Sequence, residues 1–137
     1  MALGNQVFEE KGNVTGVRVL SSDASSGTNL EICIRTTGTI RGVAHSSMWT
    51  YNQLTRPDGS VLGSGVGVLT TEEGDVIHLT GSGSGETPPA GGTINFRVAI
   101  HCHSSAAKYS DLNSIILVGN YLVAADGSTE FTTTEWK

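Results

Sequence analysis

Residues 63–85 read GSGVGVLTTEEGDVIHLTGSGSG, and this stretch decides the fold. Hydrophobic residues recur with period two on both sides of the turn sequence at 72–75. This pattern is typical of two β-strands joined in a hairpin. Glycine-rich strands of this kind suit the tight coiling of a small barrel. The stretch therefore predicts a hairpin with strands at about 60–70 and 75–85.

The rest of the chain repeats this rhythm. Further strands are predicted at 14–20, 29–37, 39–56, 93–104, 114–124 and 128–136. A turn or bulge is predicted at Gly38, turns at 57–59 and 125–128, and a short helical turn within 104–113. Short connections between consecutive strands require antiparallel neighbours. About eight long strands favour an up-and-down β-barrel over a sandwich, whose strands are commonly shorter. The 137 residues fit a single all-β domain spanning 1–137.

Composition narrows the possible partners. The net charge is −5 and the Lys and Arg residues are scattered, which argues against nucleic acid and against anionic membrane surfaces. The N-terminal residues lack the pattern of a signal peptide, and no apolar run is long enough to span a membrane. We expect a cytoplasmic protein with neither a cofactor nor a metal. Cys33 and Cys102 fall in strands of opposite pattern, so no disulfide between them is expected.

Strand 93–104 separates an apolar face from a polar face. Arg97, His101 and His103 share the polar face because residues two apart point the same way. They predict either a polar pocket for an anion or for acid–base chemistry, or simply a solvent-exposed surface, which is the favoured reading. A metal site would need a further ligand such as His45.

Strand 29–37 repeats this division, with Glu31 and Arg35 on its polar face. The sequence leaves open which face lines the barrel. Polar faces inside would form a charged cavity, and the apolar outer faces would then be covered by another subunit. Apolar faces inside would form a packed or lipophilic interior.

Two other strands supply candidate surfaces. His45, Trp49 and Tyr51 share one face of strand 39–56, where they predict either an aromatic ligand pocket or plain core, which is favoured. Strand 114–124 is apolar on both faces. It predicts a homo-oligomer, a dimer or larger, that assembles through this strand, unless another segment of the same chain covers it.

The run 63–85, followed by GGTINFRVAIHCHSS, LNSIILVGNYLVAADGSTEF and a terminal TEWK, resembles a widespread bacterial family of uncharacterised small proteins. That family is similar to the calycin-like barrels grouped with allene oxide cyclase. The resemblance implies an eight-stranded barrel that is often oligomeric and has no established reaction. Allene oxide cyclase itself binds a fatty-acid epoxide in its lumen, but no residue here matches its site, so no catalytic residue is implied.

Three functions follow as hypotheses. The first and preferred is a non-enzymatic protein that binds a small, partly apolar molecule in the barrel lumen, since eight strands leave room for side chains or one small ligand. The second is a cyclase or isomerase in which Arg97 holds a carboxylate and His101 or Glu31 moves a proton beside Tyr51. The third is a structural or assembly role.

Overall fold

Eight antiparallel strands close into a barrel in the computed structural model, which describes residues 2–137. The strands are β1 (Leu3–Asp23), β2 (Gly27–Ile40), β3 (Val43–Thr55), β4 (Ser60–Thr71), β5 (Val76–Glu86), β6 (Ile94–His103), β7 (Ile116–Val123) and β8 (Ser128–Trp136). Each strand pairs with the next, and β8 returns to pair with β1. The predicted up-and-down β-barrel is therefore confirmed.

The first strand is longer than predicted. It begins at Leu3 rather than near residue 14, and its first half pairs with β8 from Leu3 to Asn13. The first half of β1 was not predicted because Glu10 and Gly12 occupy positions that point into the barrel. A carboxylate and a glycine at these positions interrupt the apolar alternation that predicts a strand.

The predicted turn or bulge at Gly38 is wrong, because Gly38 pairs in regular register with both neighbouring strands. The hairpin between β2 and β3 turns at Arg41 and Gly42, whose φ angles are 47° and 81°. Positive φ at both positions is what a two-residue hairpin turn of type I′ requires, and an arginine at the first of them is an uncommon choice. Gly38 lies inside β2, where an added Cβ would come within 1.9 Å of the Glu9 carbonyl oxygen on β1.

The apolar strand faces point inward, which answers the question that the sequence left open. Ile32 and Ile34 on β2 are buried in the lumen, as are Phe96 and Ile100 on β6. The inward positions of β4 and β5 are largely glycines. These glycines leave room for large side chains from the neighbouring strands β3 and β6, such as Trp49 beside Gly67 and Ile100 beside Gly81. The lumen is a packed interior rather than a pore.

The two ends of the barrel differ. One end is covered by a 3₁₀ helix, Ala107–Ser114, which confirms the predicted helical turn and is called the cap helix below. Its Tyr109 and Leu112 side chains are buried. The opposite end, called the open end, carries the loops that follow β1, β3, β5 and β7. In the part of the chain that the structure describes, no helix is long and apolar enough to cross a membrane.

Candidate functional site

The structure does not bring the predicted site residues together. His45, Trp49 and Tyr51 point into the lumen, as the shared face of β3 predicted. The other five candidates point out of the barrel: Glu31, Arg35, Arg97, His101 and His103. Because side chains alternate across a strand, these five lie on the opposite side of the wall from the lumen and form no common pocket with β3.

On the outside of the barrel these polar residues are dispersed. Glu31 forms an ion pair with Arg18, in which Arg18 Nη2 lies 3.2 Å from Glu31 Oε2. His103 lies opposite His78 in the β5–β6 ladder. Among residues 2–137 no three potential metal ligands come together. The polar face of β6 is therefore the solvent-exposed surface that the sequence analysis favoured.

A buried polar cluster lies inside the barrel near the middle of β1. The Glu10 carboxylate accepts hydrogen bonds at Oε2 from Ser47 Oγ (2.9 Å), and at Oε1 from Trp49 Nε1 (3.1 Å). His45 Nε2 lies 2.8 Å from Glu10 Oε2, and neither side chain is exposed to solvent. Sequence reasoning found two members of this cluster and missed Glu10, because β1 was not predicted there.

Both carboxylate oxygens of Glu10 have hydrogen-bond partners. Three neighbours hydrogen bond to the two oxygens of Glu10, as a buried polar group requires. His45 Nδ1 is buried and has no hydrogen-bond partner among the described residues. Chemically the cluster is an acid–base pair, but it is sealed from solvent by the surrounding side chains.

Aromatic rings fill the lumen on the open-end side of this cluster. Phe96, Tyr121 and Phe131 follow one another with centroid separations of 5.9 and 5.4 Å, and Trp49 lies 6.0 Å from Phe131. These contacts are in the range of favourable ring packing. The rings and the glycine backbones of β4 and β5 line a partly open cavity of about 50 Å³. That space admits one or two water molecules.

Two tyrosines from opposite walls meet beside this cavity. The hydroxyls of Tyr51 and Tyr121 are 3.1 Å apart, and their rings are T-shaped at an interplanar angle of 87°. Burial raises the pKa of both phenols, so both are neutral at pH 7. Two neutral phenols carry two O–H donors, and one hydrogen bond between them uses only one. The second donor has no acceptor in the pair.

Apolar side chains surround the cavity toward the open end. Val14, Leu30, Ile94 and Val123 are partly buried and pack on the core. Leu30 lies opposite Gln53, and Ile94 pairs with Val123, so the three apolar side chains among these lie one inward position nearer the open end than Tyr51 and Tyr121. The same layer also contains the buried polar side chains Gln53 and Thr129, so the approach from the open end to the tyrosines is mainly apolar with two polar groups.

The larger concavity lies on the outside of the barrel. It has a volume of about 990 Å³ and is lined by small polar residues such as Ser64 and Asn120 together with apolar residues such as Leu54 and Leu62, with Arg97 as its one charged side chain. It is an open concavity that crosses the strands, with one to three lining residues on each strand. It does not enclose a small molecule as a ligand pocket does.

Comparison with known proteins shows the class of fold. No family model and no curated protein matches the chain. A solved protein of unknown function from Clostridium acetobutylicum has a TM-score of 0.87 at 17% identity, with all of both chains covered. A beta-barrel like protein from Acinetobacter baumannii has a TM-score of 0.83 at 17% identity, covering 99% of this chain and 96% of that one.

A third likeness is to a protein described as an enzyme from Penicillium herquei, with a TM-score of 0.68 at 16% identity and coverage of 98% and 97%. At these identities the likenesses show the fold alone. They place the chain among small closed β-barrels, two of which are described as proteins of unknown function. The resemblance to allene oxide cyclase stays a prediction.

Proposed function

We propose that this protein binds a small, partly apolar molecule that carries one hydrogen-bond acceptor, at the open end of the lumen. The proposal rests on the unused O–H donor of the Tyr51–Tyr121 pair. A buried polar group without a partner costs free energy, so a ligand oxygen that accepts this hydrogen bond would be favoured. A carbonyl or ether oxygen is the simplest acceptor of this kind.

The surroundings of the tyrosines support an apolar body for the ligand. The cavity beside them is lined almost entirely by rings, aliphatic side chains and glycine backbone, among them Phe96, Val98 and Phe131. A volume of about 50 Å³ is far below the roughly 300 Å³ of common ligand pockets. The ligand must therefore be small, or must insert only its oxygen-bearing end while the remainder lies among Val14 and Leu30.

A cyclase or isomerase function has weaker support. Of the residues expected to perform it, only Tyr51 lies in the lumen, whereas Arg97 and His101 lie outside. The acid–base pair that the lumen does contain, Glu10 and His45, is fully buried and separated from the cavity by Trp49. A proton acceptor must reach the atom that it deprotonates, and this pair reaches no cavity.

An assembly role remains a second candidate because of one surface. The outer face of β7 presents Ile116 and Val118, and the ladder places Trp136 beside Ile116 and Leu3 beside Trp136. Trp136 and Leu3 are 44% and 59% exposed. Large apolar side chains in one row on the outer wall suit a contact between subunits. A homo-oligomer that assembles through the strand at 114–124 would use this row as its contact, and Ile116→Asp would then dissociate it.

Ligand binding is tested with a matched pair of small probes. Cyclohexanone and methylenecyclohexane have nearly the same shape, but only the ketone accepts a hydrogen bond. NMR titration should shift the methyl resonances of Ile34 and Val98, which line the cavity, with both probes. We expect the ketone to bind about 2- to 10-fold more tightly, the effect of one net hydrogen bond.

Replacing both Tyr51 and Tyr121 by Phe should abolish the preference for the ketone without abolishing hydrocarbon binding. Tyr109→Phe is the matched control, because the Tyr109 hydroxyl is also buried and unpartnered within residues 2–137 but belongs to the cap helix. The proposal is wrong if neither probe shifts the cavity methyl groups, or if the preference survives the double substitution.

A further inference from the structure

The second half of β1 leaves one of its edges without a strand. β1 pairs with β2 as far as Asp23, but its pairing with β8 ends at Asn13, followed by one hydrogen bond from Val14 N to Gly127 O. From Thr15 to Asp23 the other edge meets no strand of the described chain. At about 3.3 Å per residue this free edge is roughly 30 Å long, longer than a typical strand.

Exposed apolar residues accompany this free edge. Val17 and Val19 are 59% and 64% exposed, although they continue the row of inward positions that begins in the core. They lie opposite Ile32 and Leu30 in the β1–β2 ladder. Because the pairing of β1 with β8 ends at Asn13, no strand lies beside Val17 and Val19 on the free edge to cover them.

A free edge of this length is a template for another strand. Its backbone N–H and C=O groups point sideways in the plane of the sheet, where only an extended chain can pair with all of them. Natural barrels remove such edges by closure, and this barrel closes everywhere except along this ribbon. The irregular pairing between Val14 and Gly16 and between Val19 and Ser21 leaves a regular run from Gly16 to Val19 between them.

We propose that the occupant of this edge is the same segment of a second copy of this chain, paired antiparallel about a two-fold axis. A two-fold contact needs a surface that complements itself. The edge meets this requirement, since pairing Val17 with its own copy sets valine against valine. Arg18 then faces Gly16 of the second copy, which avoids a contact between like charges.

The charges on the ribbon permit this approach even though the chain carries a net charge of −5. The one basic residue between Gly16 and Ser22, Arg18, is neutralised within its own chain by Glu31 on the outer face. No carboxylate lies in that run. Two copies therefore meet along a neutral, partly apolar strand, and the acidic surface elsewhere remains apart.

The test is the solution mass of the full chain by sedimentation equilibrium. We expect the wild type to have twice the mass of one chain at high micromolar concentration. Val17→Asp should lower the mass to that of one chain, because it places two buried carboxylates face to face. The matched control is Val66→Asp, since Val66 is also 59% exposed but lies on the outer face of β4, where the variant should stay dimeric.

Hydrogen exchange identifies the contact independently of the substitutions. Backbone amides of residues 16–19 should exchange more slowly at high than at low protein concentration, and those of β4 should not change. A monomeric wild type would overturn the proposal. So would a dimer that Val17→Asp leaves intact and Ile116→Asp dissociates, since that result assigns the contact to β7.

Discussion

Gly67 shows at the residue scale how an absent side chain shapes the lumen. A Cβ at this position of β4 would lie 2.5 Å from Cδ2 of the Trp49 ring, so the indole occupies the volume that any other residue would need. Trp49 on β3 then donates a hydrogen bond to Glu10 on β1, past the intervening strand β2. The glycine pattern that predicted a coiled strand therefore also sets the position of a buried hydrogen bond.

Gly67→Ala is expected to destabilise the protein by about 1–3 kcal/mol, the usual cost of overpacking a core. Gly63→Ala is the control on the same strand and the same face, because its Cβ would have its nearest neighbour, Phe96 Cε1, at an ordinary 3.6 Å. Urea unfolding of both variants measures the difference. Equal midpoints for the two variants would contradict this account of the Trp49 contact.

Glu10→Gln is expected to lower the free energy of unfolding by about 2–3 kcal/mol. The carboxylate accepts hydrogen bonds on both oxygens, and the amide NH₂ of Gln would point a donor at a donor from Ser47 or Trp49. The neighbouring Glu9 is exposed, so Glu9→Gln should stay within about 0.5 kcal/mol of wild type. Thermal unfolding followed by circular dichroism compares the pair, and a small effect of Glu10→Gln would show that the cluster contributes little.

At the scale of the element, the cap helix is held to the barrel by an ion pair at the tightest turn. Arg41 Nη1 and Nη2 lie 3.0 and 2.6 Å from Asp111 Oδ1 and Oδ2, a bidentate arrangement. Arg41 is an uncommon residue at this turn position, which is why the β2–β3 turn was not predicted there. The same residue connects this turn to the cap helix. Its positive φ is a local cost that the contact with Asp111 helps to offset.

This ion pair predicts a pH dependence. The hydrogen bond from Arg41 lowers the pKa of Asp111 below its ordinary value of 3.8. A lowered pKa in the folded state means that the contribution is present above the ordinary value and is lost as the pH falls through the lower one. Asp111→Asn should therefore cost roughly 0.5–1 kcal/mol at pH 7, the range for exposed pairs, and almost nothing near pH 2.

Denaturant unfolding at both pH values checks this expectation. Glu72→Gln is a suitable control, because Glu72 is exposed and makes no ion pair in the described part of the chain. A stability difference for Asp111→Asn that is the same at pH 7 and pH 2 would show that the carboxylate acts through packing rather than charge.

At the scale of the whole molecule, closure of the barrel separates the two thiols. Cys33 lies on the outside, while Cys102 is buried in the lumen, which agrees with the expectation that they form no disulfide. Burial raises the pKa of the Cys102 thiol to about 12. A thiolate is the reactive form, so Cys102 should react only when the barrel opens.

Iodoacetamide at pH 8 should add one label per native chain, at Cys33, and two labels in denaturant, as intact-mass measurement shows. Gly67→Ala should speed the labelling of Cys102 and leave that of Cys33 unchanged, since only the first depends on unfolding. Two labels on the native wild type at equal rates would mean that the lumen is open to small molecules of this size.

Much of the element order was predictable, and particular residues explain where prediction failed. The hairpin of β4 and β5 and the turn at Pro57-Asp58-Gly59 are marked by local signals that act within a few residues. The start of β1 was missed because Glu10 belongs to a cluster whose other members are at least 35 residues away. No local pattern indicates a carboxylate that is satisfied by a distant strand.

The amino-acid sequence by itself determined the antiparallel hairpins, their number and the division of β2 and β6 into polar and apolar faces. These features depend on alternation and turn chemistry, which are properties of neighbouring residues. Only the tertiary structure decided which face is inside, that Glu31 and Arg97 lie outside, and that Tyr51 meets Tyr121 across 70 positions. These outcomes depend on barrel closure, which brings distant strands together and leaves the second half of β1 without a neighbour.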